Sequence, residues 1–264
     1  MTSNDLRTPV PTGVLRRAAS KVPEVTIYFW IVKILTTGMG EAAADYQQSL
    51  FRPVLAVAFT GLLLLVAVAV QLRAQQYIAW VYWTAVVMVS VFGTIEADAL
   101  RHTLHLTHAV NTSIFVVALV VALLAWYLTE RTLSIHSIHT RRRELFYWAT
   151  VMITFALGTA AGDWTAKSVG LGWLGSGVLF TVAMLVPAAL HRWAGLNAIL
   201  AFWIAYVLTR PVGASFADWM ADGTQNGGLG WGKLMTTVVT SGLIVAFVAF
   251  LAVTRRDVEQ PRPA

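Results

Sequence analysis

One motif occurs four times in this chain and constrains its fold more than any other feature. It consists of an aromatic residue and a Trp, with a Gly ten residues after the Trp and an Asp fifteen residues after it, written [FY]-W-x9-G-x4-D. The four copies hold Trp30, Gly40 and Asp45; Trp83, Gly93 and Asp98; Trp148, Gly158 and Asp163; and Trp203, Gly213 and Asp218. Four copies at one spacing predict four structural units of one kind.

Each motif lies in one of eight apolar stretches, and each stretch can form a helix of the roughly 20 residues that cross a bilayer. The predicted spans are 24–45, 52–72, 78–100, 112–129, 144–166, 172–190, 196–220 and 234–254. The chain is 57% hydrophobic and only 12% charged, which is typical of membrane proteins. We therefore predict an all-α, polytopic membrane protein in contact with the lipid bilayer.

The distribution of Lys and Arg predicts the orientation. Of the 19 Lys and Arg, thirteen fall on one side of these spans, and four fall on the other: Arg52, Arg101, Lys167 and Lys233. Because cytoplasmic loops are rich in these residues, both termini are predicted to be cytoplasmic. The same bias accounts for the net charge of +6, so no nucleic-acid partner is predicted.

The motifs fall only on the outward helices, so the predicted unit is one motif helix followed by one plain return helix. The predicted membrane domain is 23–254, with repeats at about 24–72, 78–129, 144–190 and 196–254. Residues 1–22 and 255–264 are predicted cytoplasmic tails, without a cleavable signal peptide, and residues 1–20 and 257–264 are predicted to be disordered. All repeats run the same way, so they are parallel. They can close around one axis as a pseudo-four-fold bundle, or form two packed pairs.

On these motif copies the chain resembles a bacterial family with four tandem two-helix membrane repeats, described as uncharacterised membrane-anchored proteins. The resemblance covers about residues 22–254 and implies the architecture, together with a multi-pass location in the bacterial inner membrane. It implies no catalytic residues.

The motif spacing gathers polar residues on one helix face. At about 100° per residue, the positions three, seven, eleven and fifteen residues after the Trp share a stripe roughly 120° wide with it. In the first repeat these positions are Lys33, Thr37, Glu41 and Asp45, and in the fourth they are Tyr206, Arg210, Ala214 and Asp218. The return segments 53–70, 113–128, 173–190 and 235–253 contain no Asp, Glu, Lys, Arg or His. We therefore expect motif helices to face each other and return helices to face lipid.

The motif Trp and Gly are interpreted mainly as packing residues. Gly lets helix backbones approach closely, and this use is favoured for Gly40, Gly93, Gly158 and Gly213 over a carbonyl exposed to an ion. Trp30, Trp83, Trp148 and Trp203 are expected in the core, with substrate lining as the alternative.

The four motif Asp are the main candidate site. If the repeats close around an axis, Asp45, Asp98, Asp163 and Asp218 converge near the outer end, where an acidic cluster binds cations and exchanges protons. Glu41 lies one turn below Asp45, and Glu96 is a less clear addition. The alternatives are interfacial acids and hydrogen bonds that only staple neighbouring repeats.

Lys33 and Arg210 are the two cations within the spans. They are interpreted as gating or ion-pair residues, paired with Glu41, Asp45 or another Asp. Binding of an anionic substrate is the alternative.

A tentative metal site is predicted at Asp98, His102 and His105, because carboxylate and imidazole ligands at helical spacing can hold Zn²⁺ or Mn²⁺. A polar outer loop with pH-sensitive His is the favoured alternative.

The sequence therefore predicts a transporter for a small cation, with a divalent metal ion as the favoured substrate and proton exchange on the carboxylates. A cation channel with an acidic ring is the first alternative, and a scaffold or sensor subunit without transport is the second. No enzyme motif is present, and zero Cys excludes thiolate chemistry, so no enzyme and no cofactor beyond a bound cation are expected.

Overall fold

The computed structural model describes residues 20–258, which form eight long α-helices and no strand. The helices are α1 (Ile27–Leu50), α2 (Pro53–Arg73), α3 (Ala79–Thr103), α4 (His108–Glu130), α5 (Arg141–Asp163), α6 (Gly172–Ala194), α7 (Ala198–Ala221) and α8 (Lys233–Thr254). A π-helical turn, Trp164–Ser168, extends α5. The helices agree with the predicted spans, but several continue for one or two polar turns that apolarity alone did not predict.

Local sequence signals set the helix ends. Thr26, Thr107 and Thr140 accept hydrogen bonds from backbone N–H groups in the first turns of α1, α4 and α5, and Asn197 does so for α7. These caps satisfy donors that have no partner within the helix. Pro53 begins α2, where its missing N–H costs nothing.

The motif helices close into a ring. Helix α1 packs on α3, α3 on α5, α5 on α7, and α7 on α1. Each return helix packs mainly on the motif helix of the following repeat: α2 on α3, α4 on α5, α6 on α7 and α8 on α1. This cyclic order is the predicted pseudo-four-fold bundle, and it differs from the alternative of two packed pairs.

The motif Gly form the contacts around this ring. Each packs against the residue seven positions after the Trp in the following repeat, where an added Cβ would collide. The distances from that Cβ are 1.8 Å to Ser90 Oγ for Gly40, 2.7 Å to Phe155 Cβ for Gly93, 2.2 Å to Arg210 Cγ for Gly158 and 1.8 Å to Thr37 Oγ1 for Gly213. The close-packing role that the spacing predicted for these Gly therefore fits the geometry at all four joints.

Burial separates the two kinds of helix. In α3, α5 and α7, 56–67% of the most apolar stretch is buried, whereas the value is 17–28% in α2, α4, α6 and α8. The return helices thus present most of their apolar surface outward, which suits a lipid environment.

Seven of the eight helices in the described region, all except α1, are long and apolar enough to cross a membrane. Helix α1 carries Lys33, Glu41 and Asp45 and packs between α3, α7 and α8. The molecule is therefore a multi-pass membrane protein of helical repeats. We call the end of the ring with the motif Trp the aromatic end, and the end with the motif Asp the acidic end.

Both chain ends pack at the aromatic end as far as they are described. Lys21 Nζ lies 2.7 Å from Glu144 Oε2, and the Glu24 N–H donates to the Asp257 carbonyl at 2.9 Å. Asp257 is buried and accepts a hydrogen bond from the Tyr77 hydroxyl at 2.5 Å, and burial raises the pKa of its carboxyl. The predicted disorder is therefore wrong for Asp257, while residues 1–19 and 259–264 lie outside the described part.

Candidate functional site

The axis of the ring begins with a layer of aromatic side chains. Phe29, Tyr82 and Tyr147, which precede motif Trp, are almost fully buried. The hydroxyl groups of Tyr82 and Tyr147 hydrogen-bond to each other, and Phe29 lies 5.8 Å from Trp83 between ring centroids. This layer closes the axis at the aromatic end by packing, as expected of offset and edge-to-face aromatic pairs.

The motif Trp belong to the same layer. Trp83, Trp148 and Trp203 are 1–4% exposed, and Trp30 is partly buried. Trp203 also donates from Nε1 to the Leu133 carbonyl at 2.9 Å, which ties the ring to the loop between α4 and α5. Their placement fits the packing role expected from the sequence.

Lys33 lies above this layer and is 1% exposed. Its Nζ lies 3.7 Å from the ring centroid of Phe155 and 4.3 Å from that of Tyr206, and it has no hydrogen-bond partner among the described residues. The prediction that Lys33 pairs with Glu41 or Asp45 is wrong. Lys33 precedes Glu41 by two helical turns, about 12 Å along α1. The carboxylate of Glu41 is bonded to Arg210 instead.

Arg210 is the centre of the buried polar network and is fully buried. Its Nη2 donates to Glu41 Oε2 at 2.6 Å, to Thr159 Oγ1 at 2.8 Å and to Thr94 Oγ1, and its Nη1 donates to the Thr37 carbonyl at 3.0 Å. Arg210 thus forms an ion pair with Glu41 and not with a motif Asp. Charge-assisted bonds to one carboxylate and to three helices hold the ring closed here.

The motif explains why these side chains meet. Glu41, Thr94 and Thr159 each lie eleven residues after a motif Trp, so the ring brings them to one level. The fourth residue at this position is Ala214, which follows Arg210 by four residues on the same helix face. Three repeats thus supply oxygen acceptors, and the fourth supplies the guanidinium that binds them.

The four motif Asp form the next level, at the acidic end. Asp163 is buried, and Asp45, Asp98 and Asp218 are half-buried. Each of three carboxylates has its own polar neighbour: Lys233 Nζ at 3.0 Å from Asp45, Gln48 Nε2 at 3.0 Å from Asp98, and Lys167 Nζ at 2.9 Å from Asp163. His108 Nδ1 lies 3.9 Å from the other oxygen of Asp163.

These carboxylates lie near enough to one another for their charges to interact. The charges of Glu41, Asp45 and Asp163 act on Asp98 and also on Asp218, and those of Asp45 and Asp163 act on Glu41. We call this group of five acids the acidic vestibule. Within residues 20–258 no three His, Asp or Glu side chains lie close enough together to hold a metal ion, so the vestibule gathers charge without forming a ligand shell.

The structure does not bring the tentative metal site together. Asp98 points toward Gln48 of α1, whereas His102 is exposed and contacts Arg101 at 2.8 Å from Nε2 to Nη2. His105 lies in the turn after α3 with a φ of 51°. The i, i+4 spacing was too permissive, because α3 ends at Thr103 and its last turn leads the His side chains out to the surface.

Glu96 does not join the vestibule. It is half-buried on α3, about 200° around the helix from Asp98, and no neighbouring charge acts appreciably on its carboxyl group. This position agrees with the helical angle, which already placed Glu96 outside the stripe of motif residues.

Besides Asp257, sequence reasoning missed a second buried acid, Glu144 of α5. It is 1% exposed and is held by Lys21 at 2.7 Å and by Gln71 Nε2 at 3.1 Å. Glu144 precedes the motif Trp by four residues, at the first position of the predicted span 144–166. The only available signal was an acid beside the basic run Arg141–Arg143.

The fold and the ring define a class of protein, a helical membrane protein built from four tandem repeats. The chain belongs to the family described as Repeat of Unknown Function (DUF347), which matches residues 28–77, 81–132, 146–196 and 201–257. Comparison with curated proteins and with solved structures found no match.

Proposed function

We propose that this chain is a membrane transporter for a small cation, with proton exchange on its buried carboxylates. The observation that carries the proposal is the order of groups along the ring axis. The four motif Asp of the acidic vestibule lead to its deepest carboxylate, Glu41. The guanidinium of Arg210 is already bonded to this carboxylate. Rings of acidic side chains concentrate cations, and carboxylates that share a site exchange protons readily.

The lysines that pair with the vestibule carboxylates can be replaced by a cation from solution. Lys233 and Lys167 are about half exposed and pair with Asp45 and Asp163. Exposed ion pairs of this kind contribute only about 0–1 kcal/mol, so a cation that enters the vestibule can replace either ammonium. Arg210 is different, because it is buried and bonded to three neighbouring helices.

The Arg210–Glu41 pair favours a gated transporter over an open channel. A guanidinium on the axis repels cations and fills the space between the motif helices. Passage requires Glu41 to exchange Arg210 for the transported ion or for a proton, which couples movement to a change in the ring. In a passive channel, the charge of Arg210 would only oppose the passage of cations.

The structure does not favour a divalent metal over other small cations, since the described residues offer no three-ligand group. Hydrated or monovalent cations bind with fewer direct carboxylate contacts and remain consistent with the vestibule. A scaffold without transport is the competing proposal, in which the acids serve only to join helices.

The test is flux in proteoliposomes that contain the purified chain, measured with Mn²⁺, Zn²⁺, Mg²⁺, Ca²⁺ and K⁺ with and without a pH gradient. We expect Asp45→Asn, Asp98→Asn, Asp163→Asn and Asp218→Asn to lower the initial rate by roughly tenfold, equivalent to ~1.4 kcal/mol. The loss should exceed any loss of folded protein in the membrane.

Glu96→Gln is the matched control, because Glu96 lies on α3 near Asp98 but outside the vestibule. It should retain the rate of the original chain. Normal flux in all four Asn variants would refute the proposal, and melting of these variants with no measurable flux in any protein would favour the scaffold.

The proposed arrangement in the cell follows from charge. All eight helices, including α1, cross the membrane, both termini are cytoplasmic, and the acidic vestibule opens to the outside of a bacterial inner membrane. The support is the excess of Lys and Arg at the aromatic end of the ring.

A further inference from the structure

The buried axis below the four motif Asp carries two basic side chains and one acidic side chain. Lys33 and Arg210 are 1% and 0% exposed, and Glu41, which pairs with Arg210, is the single carboxylate bonded to either cation in the described region. When Lys33 is protonated, one positive charge is left without a counterion inside the ring. Buried charges in proteins are normally paired, because an unpaired charge loses its hydration without compensation.

The unpartnered polar atoms at this level are mainly donors. Lys33 Nζ, Arg210 Nε and the Tyr206 hydroxyl are all buried without a hydrogen-bond partner among residues 20–258. A buried donor that lacks an acceptor in the protein commonly has one from ordered water or a bound ion. An ammonium beside a guanidinium favours an acceptor that is negative.

Lys33 and Arg210 both lie against the Phe155 ring, and Tyr206 lies against Lys33. Lys33 Nζ lies 3.7 Å and Arg210 Cζ 5.4 Å from the centroid of the Phe155 ring, and the centroid of the Tyr206 ring lies 4.3 Å from Lys33 Nζ. Cation–π contacts of this kind stabilise each cation but do not reduce the repulsion between the two.

We infer that a small monovalent anion, of the size and charge of chloride or formate, binds beside Lys33 between α1, α5 and α7. It accepts hydrogen bonds from the Lys33 ammonium and from Arg210 and cancels the remaining charge. The site lies below the four motif Asp, and anion binding can be measured in detergent without any transport.

The experiment measures the thermal midpoint of the purified chain in chloride, bromide, nitrate or formate, with gluconate as the bulky reference anion at equal ionic strength. A ligand that binds only the folded state raises the midpoint, so each small anion should raise it by a few degrees. Equilibrium binding of radiolabelled chloride to the same protein should reach about one anion per chain, as the charge balance requires.

Lys33→Met should abolish both the shift and the chloride binding. Lys233→Met is the matched control, because Lys233 is exposed and pairs with Asp45 at the acidic end. It should keep both. If Lys33→Met fails to fold, Tyr206→Phe, which removes only an unpartnered hydroxyl, should weaken chloride binding severalfold.

Two results would overturn the inference. The first is an original chain that has the same midpoint in gluconate and chloride and binds no labelled chloride, which would mean that Lys33 is neutral or hydrated. The second is an anion effect of equal size in Lys33→Met and Lys233→Met, which would be a general salt effect.

Discussion

At the scale of single residues, the Arg210–Glu41 pair is the buried ion pair that joins α7 to α1 in the ring. Removing one partner of a buried ion pair leaves the other charge without compensation. The remaining contacts of Arg210, to Thr94, Thr159 and the Thr37 carbonyl, are neutral and cannot replace a carboxylate. The pair should therefore matter more for stability than the exposed pair of Asp45 with Lys233.

We expect Glu41→Gln to lower stability by about 3–5 kcal/mol and Asp45→Asn by less than about 1 kcal/mol. The measurement is the thermal midpoint of each purified variant in detergent. The double variant Glu41→Leu with Arg210→Met should recover much of the loss, because it removes both charges together. Equal midpoints for Glu41→Gln and Asp45→Asn would contradict this account.

Residue positions were easier to predict than residue partners. Helical spacing alone placed Lys33, Glu41 and Asp45 on one face of α1. It could not show that Arg210 of α7 would reach Glu41 first, or that Lys33 would meet aromatic rings. Partners of this kind come from other helices, and sequence spacing carries no information on how neighbouring helices are shifted along the axis.

At the scale of the helices, the joints between repeats depend on the absence of side chains at the motif Gly. Gly213 is the tightest case that involves main chain. A Cβ there would lie 2.7 Å from the Ile34 carbonyl oxygen and 2.9 Å from the Gly38 nitrogen, in addition to 1.8 Å from Thr37 Oγ1. Backbone atoms of α1 cannot move aside without separating α1 from α7.

Gly213→Ala should therefore destabilise the fold by about 1–3 kcal/mol, as overpacking does elsewhere. Gly242→Ala in α8 is the control, because a Cβ there meets no atom within 4 Å. It should leave the thermal midpoint unchanged or raise it slightly, since Ala favours the helix by up to about 1 kcal/mol. The prediction fails if the two variants melt alike.

Helix type and order could be predicted from apolar stretches, and the motif register predicted parallel repeats but left a ring and two packed pairs both open. The ends could not, because α1, α3 and α5 continue through polar residues such as Gln47, Arg101 and Arg141. Such residues continue a helix where their side chains reach water or a partner, and apolarity does not detect this. Gln47, for example, bonds to Thr60 of α2 at 2.7 Å.

At the scale of the whole molecule, the orientation can be tested cleanly because the chain has no Cys. His139 is exposed at the aromatic end and Gln225 is exposed at the acidic end. On intact cells, a membrane-impermeant maleimide should label Gln225→Cys and leave His139→Cys unlabelled until the membrane is permeabilised. The reverse pattern would invert the proposed topology, and labelling of both in intact cells would contradict a spanning bundle.

The cyclic packing of return helices has a consequence for the evolution of the chain. Helix α8 packs on α1 just as α2 packs on α3, so the contact between the last repeat and the first is of the same kind as the contacts between consecutive repeats. Four separate copies of one helix pair could assemble through the same surfaces. In a single chain, by contrast, each position around the axis can differ, and here one arginine and one glutamate stand where a ring of identical copies would hold four of each.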